Sequence, residues 1–167
     1  MIIIGVDPGT ALTGFGVISV PKDRNEKPTV IDFGCIVTKP SFLAEQRLLV
    51  IYNETTKLIK KHQPDLISVE SLFFFKNAKT VMAVSQARGV ILLAAAKENI
   101  PVVEFTPLQV KMTVVGYGRA EKKQVQAMTK QLLDLTKFNL KAKHRKQDDA
   151  ADALGVALCA SLHGVKN

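Results

Sequence analysis

Asp7 closes the apolar run MIIIGVD and stands directly before Pro8 and Gly9. A carboxylate beside buried sequence is costly unless its charge is compensated. Glu70 ends a second such run, DLISVE, and the last apolar helix opens with DDAADAL, which carries Asp148, Asp149 and Asp152. Each acid alone has a structural explanation. Asp7 fits turn chemistry, Glu70 suits a strand end or a lysine pair, and the three aspartates favour a helix N-terminus. Together they point to chemistry, because carboxylates gathered at one point repel unless a cation or shared protons neutralise them. An all-oxygen set without Cys or His suits Mg²⁺ or Mn²⁺ better than zinc, and such ions leave positions open for phosphate oxygens. Asp149 and Asp152, three apart, share one helix face, and Asp7 is best read as the ligand bridging two ions.

Convergence of these acids demands a particular set of elements. MIIIGVD, TGFGVISV and TVIDFGCIVT read as three strands of an antiparallel meander, with PKDRNEKP as a solvated turn. From Ser41 the period becomes helical, through Leu48, Ile51, Tyr52, Thr55, Leu58 and Ile59, and the pattern stops before Pro64. DLISVE is a fourth strand, a helix spans Ala78 to Lys97, and PVVEF is a fifth strand. Thr106 and Pro107 match N-cap and first position of a brief helix ending before Gly116. An amphipathic helix with Val125, Met128 and Leu132 follows, then the basic loop KFNLKAKHRKQ, then a final helix starting near Asp148. The expected fold is α/β: a mixed five-stranded sheet, three strands antiparallel and two parallel, flanked by helices on both faces. If the first and fourth strands start from one edge, Asp7 and Glu70 emerge side by side beyond the strand ends. Ala150, Ala151 and Ala153 leave room for the last helix to pack closely on the sheet.

The 167 residues suffice for one domain, 1–167, with a sizeable core. The 23 Lys and Arg against 15 Asp and Glu give a net charge of +8, which suits a polyanionic partner. Cys35 and Cys159 are too few for a disulfide scaffold or zinc site and read as small apolar residues in a reducing cytoplasm. MIII lacks the basic start of a signal peptide, and GVILLAAA is too short to span a bilayer. The expectation is a soluble cytoplasmic protein without membrane attachment.

Five segments, GVDPGTALTGFGV, VESLFF, SQARGVILLAA, QVKMTVVGYGRAEKKQVQ and DDAADALGVAL, occur in the order and spacing of a known family. Over nearly its whole length the chain resembles the RuvC-type Holliday junction resolvases of the ribonuclease H-like superfamily. The resemblance implies a Mg²⁺-dependent endonuclease, with Mn²⁺ as a possible substitute, that nicks four-way DNA junctions in recombination and repair. It implies Asp7, Glu70, Asp149 and Asp152 as the catalytic, metal-binding acids. Asp149 then matches the first acid of the D-A-A-D-A-L pattern and Asp148 is left as an N-cap. It further implies a homodimer, a branch-migration helicase as partner, and hydrolysis with two metal ions leaving 5′-phosphate and 3′-hydroxyl ends.

Other residues join the site as DNA contacts. Lys111 and Lys122 match family lysines facing the cleft, and Phe73 matches an aromatic thought to stack on an unpaired base. Lys76, Lys79, Arg88, Lys123 and the basic loop are further phosphate candidates, giving affinity without reading sequence. Gly9, Gly14 and Gly16 would let a sugar-phosphate backbone approach closely, or simply serve turns. TVMAVSQARGVILLAAA is apolar nearly all round, so beyond the sheet it needs a second partner, which a twofold dimer helix or full burial would supply. Three alternatives compete with the junction nuclease: a related RNA or RNA–DNA hybrid nuclease, an actin-like-fold kinase, and a non-catalytic DNA-binding module.

Overall fold

The computed structural model describes residues 1–23, 25–71, 78–134 and 147–163, with the side chains of 78–80, 147 and 148 left aside. Five strands, β1 (Ile2–Asp7), β2 (Leu12–Ser19), β3 (Thr29–Val37), β4 (Leu66–Glu70) and β5 (Val102–Phe105), form one sheet in the order β3-β2-β1-β4-β5. β1, β2 and β3 pair antiparallel, whereas β4 lies parallel to both β1 and β5. The helices are α1 (Ala44–His62), α2 (Ala78–Lys97), α3 (Pro107–Val115), α4 (Lys122–Leu132) and α5 (Gln147–His163). Among the described residues, no helix is long and apolar enough to cross a membrane.

Successive side chains of a strand point to opposite faces, and here both faces are covered. Ile3, Ile18 and Leu66 pack with Val110 of α3 and Leu154, Val156 and Leu158 of α5. Their neighbours Ile4, Val17 and Ile67 turn the other way, against Ile51 and Ile59 of α1 and Ala87 and Ile91 of α2. That two-sided burial explains why β1 and β4 read as continuous apolar runs. α3 is closed as its sequence predicts. Gln109 N donates to Thr106 Oγ1 at 3.2 Å, Thr106 N donates to Gln109 Oε1 at 2.8 Å, and Gly116 ends the helix at φ 78°.

α5 runs directly over β1 and β2 along a strip of glycines. A Cβ on Gly5 would meet Ala153 O at 2.1 Å, one on Gly14 would meet Asp149 O at 2.3 Å, and one on Gly16 would meet Leu154 at 2.7 Å. Gly5 pairs with Gly16 across the strands, and Gly14 pairs with Asp7. Ala150, Ala153, Ala157 and Ala160 are buried on the helix side. Ser68, fully buried in β4, donates from Oγ to Val156 O at 3.1 Å and ties the helix to the sheet. Gly14 and Gly16 are therefore covered by α5 and are not surfaces for a DNA backbone. Gly9 serves its turn, where Thr13 Oγ1 donates to Gly9 O at 2.6 Å. Asp148 lies within the first turn of α5, one residue after the helix begins, and not at its N-cap.

Candidate active site

Parallel pairing puts Val6 opposite Val69, so Asp7 and Glu70 are the next residues at the same edge of the sheet. The far end of this pairing is pinned where Ile2 N donates to Asp65 Oδ2 at 2.6 Å. α5 enters over that edge, and its glycine-strip seat brings the first turn down beside Asp7. Asp7, Asp149 and Asp152 then offer carboxylate oxygens that all lie within 4.8 Å of one another. Glu70 completes the group through a side-chain hydrogen bond with Asp7.

The electrostatics of the pair follow from burial and crowding. Burial, above all, raises the Asp7 carboxyl to about 6 from its usual 3.8; Asp152 and Asp149 add to the rise, while the Glu70 hydrogen bond and Lys122 oppose it. Glu70 goes further, to about 8, through burial, the Asp7 charge and the hydrogen bond that favours its protonated form. Without a cation, the pair shares a proton near neutrality. On the other side, Lys122 Nζ lies 2.5 Å from Asp152 Oδ2 and Gln126 Nε2 donates to Asp152 Oδ1 at 3.2 Å.

The basic residues fare differently from one another. Lys122 opens α4 at the cluster itself. Lys111 is half-buried on α3, and Lys123 is exposed on α4. Arg88, a candidate phosphate contact, forks onto Glu104 of β5, with Nε to Oε2 at 3.0 Å and Nη2 to Oε1 at 2.6 Å. A planar guanidinium facing a carboxylate on the adjacent strand satisfies its charge within the protein. Phe73, Lys76 and the basic loop fall outside the described residues, and Lys79 is described only as backbone of α2. Gln126 and Ser68 carry no functional pattern of their own in sequence. The one available signal for Gln126 is its spacing, four residues after Lys122, which puts both on one face of α4.

Comparison with known proteins fits this geometry. A family model described as crossover junction endodeoxyribonuclease RuvC matches residues 3–160. The crossover junction endodeoxyribonuclease RuvC of Ruminiclostridium cellulolyticum is 54% identical over 159 residues, which cover 95% of this chain and 90% of the relative. Among solved structures, Thermus thermophilus RuvC superposes with a TM-score of 0.84 at 29% identity, covering 98% of this chain and 95% of that one. T. thermophilus RuvC in complex with Holliday junction substrate gives a TM-score of 0.85 at 28% identity, covering 98% and 94%. A match that runs through both Asp7 and the DDAADAL helix, on the same sheet, makes this chain a member of the RuvC crossover junction endodeoxyribonuclease family.

Proposed function

We propose that this chain resolves four-way DNA junctions by hydrolysing phosphodiesters at a cluster of Asp7, Glu70, Asp149 and Asp152 that holds Mg²⁺. The observation that carries the reading is the approach of three aspartate oxygens within 4.8 Å at a sheet edge, with a fourth carboxyl bonded to Asp7. The donor set fits a hard divalent cation. It is all carboxylate, and its buried pair retains one proton near neutrality in the absence of a cation. Asp7, Glu70, Asp149 and Asp152 would together hold the cations. When bound, such ions polarise the phosphate and make a coordinated water a nucleophile at neutral pH.

The chain's own groups do the rest. Asp7 and Glu70 would hold the cations as carboxylates, so the proton they share without a cation would have to leave on binding. Lys122, 54% exposed at its side chain and paired with Asp152 through its head group, is long enough to extend toward a phosphate oxygen. Lys111 and Lys123 add positive charge along the same helices, and Phe73 and Lys76 occupy the segment that follows Glu70. Stacking by Phe73 on an opened base pair would expose the scissile phosphate.

A homodimer supplies two such sites to the two strands of a junction. The outward stripe of α2, Met82, Gln86, Gly89 and Leu93, is exposed, while Ala87, Ile91, Ala94 and Ala95 face the core. Apolar residues around a central glycine suit close twofold packing of two helices. A branch-migration helicase is the expected larger partner, and a DNA substrate together with two cysteines that form no disulfide suits the cytoplasm.

Cleavage of a labelled four-way junction, a linear duplex and an RNA–DNA hybrid, with Mg²⁺ or Mn²⁺, tests the function. The expected result is paired nicks in the junction alone, abolished by Asp7→Asn. Preferential cutting of the hybrid would make this an RNA-directed nuclease, and junction binding without cutting would make it a binding module. Family membership leaves the kinase alternative without support.

A further inference from the structure

Asp152 is the member of the cluster whose two oxygens are both engaged by one helix. Lys122 reaches Oδ2 at 2.5 Å and Gln126 donates to Oδ1 at 3.2 Å. The two donors sit four residues apart on α4, so they rise from the same helix face. α4 is a firm base for them. Its first turn is closed by Glu121 N donating to Gln124 Oε1 at 2.8 Å. Thr129, buried, donates to Val125 O at 2.8 Å, and Val125, Met128 and Leu132 pack on the core beside α5.

The two donors differ in kind. Lys122 is a long, half-exposed cation, and any positive charge arriving at Oδ2 competes with it directly. Gln126 is neutral and half-buried, and it bonds Oδ1, the oxygen opposite the one that Lys122 holds, so a cation that replaced Lys122 on Oδ2 would not compete with it. Once Lys122 is displaced, the plane of the Asp152 carboxylate depends on the amide of Gln126. We propose that Gln126 is the positioning residue that keeps Asp152 aimed at the cation-binding cluster, acting through its hydrogen bond to Oδ1. The proposal rests on the reading of Asp152 as a metal ligand.

Outer donors of this kind, removed from metal sites, typically cost 10–100-fold in affinity. Gln126→Met keeps length and apolar stem while deleting the donor. Calorimetric titration of Mn²⁺ alone, without DNA, into wild type and Gln126→Met should give a dissociation constant about 10–100-fold weaker in the variant. The Mg²⁺ concentration for half-maximal junction cleavage should rise by the same factor, with the rate at saturating Mg²⁺ within about threefold of wild type. In an Asp152→Asn background, Gln126→Met should change the Mn²⁺ constant by less than twofold, since its route of action is gone. Equal Mn²⁺ affinity in wild type and Gln126→Met overturns the positioning role alone. A loss of the same size in the Asp152→Asn background also overturns it, showing a general effect on α4. Absence of Mn²⁺ binding to wild type overturns the metal cluster and the proposal with it.

Discussion

Replacing Gly14 by alanine puts a methyl group where α5 crosses β2. The new Cβ would lie 2.3 Å from Asp149 O and 2.7 Å from the carbonyl carbon, whereas ordinary contact begins at 3.4 Å. Backbone atoms cannot rotate away, so the first turn of α5 must lift by about 1 Å. Farther along, the helix stays tied through Ser68 to Val156 O, so the lift falls on the turn that carries Asp149 and Asp152. Overpacking of this size costs about 1–3 kcal/mol of stability. A misplacement of about 1 Å at reacting groups costs about 10²-fold in rate. Single-turnover cleavage of a labelled four-way junction at saturating Mg²⁺ reads the rate, and gel shift without metal reads DNA binding. Gly14→Ala should lose about two orders of magnitude in rate while binding the junction normally. Gly155 in the same helix is the control, since its added Cβ meets Thr129 Oγ1 at an ordinary 3.4 Å. Gly155→Ala should cleave normally and gain about 0.5–1 kcal/mol from helix propensity. Cleavage by Gly14→Ala within threefold of wild type would refute the link between the glycine strip and the site.

Further outcomes follow from the same geometry. Asp7 and Glu70 titrate higher when folded, so the metal-free fold binds more protons than the unfolded chain between their usual and raised values. The contribution of these two groups to stability is therefore greatest below about pH 4 and is lost as pH rises through about 6 and about 8; for Asp7 the rise from 3.8 to about 6 corresponds to about 3 kcal/mol. Urea unfolding in chelator at pH 5 and pH 8.5 should show the loss, and Glu70→Gln should remove most of it; an unchanged loss in that variant contradicts the pairing. Leu93→Glu, on the exposed stripe of α2, should convert a dimer to a folded monomer in sedimentation at micromolar concentration, and an unaltered dimer would place the interface elsewhere. Phe73→Ala should lose junction cleavage with fold and Mn²⁺ binding retained, and normal cleavage would end its stacking role.

Much of this arrangement is legible in the chain because burial and chemistry leave different marks. β1 and β4 are covered on both faces, and they read as unbroken apolar runs, each stopped by its acid. The capping pattern of Thr106, Pro107 and Gln109 is local, so the start of α3 is readable to the residue. Long-range geometry is not local. Gly14 and Gly16 look like turn or ligand-approach glycines until α5 is seen lying on them, and Gly5 gives no sign that it seats Ala153. Arg88 reads as one more cation in a basic chain, since nothing local announces that β5 brings Glu104 against it. Gln126 stands between recognisable neighbours, and its bond to Asp152 spans 26 residues of chain.

Joint binding of divalent cations by Asp7, Glu70, Asp149 and Asp152 underlies the proposed chemistry. Anomalous diffraction from crystals soaked in Mn²⁺ tests it most directly. Two peaks roughly 3.5–4 Å apart are expected, both touching Asp7, one beside Glu70 and the other beside the first turn of α5. Crystals saturated with Mn²⁺ that show no density at Asp7 would contradict it.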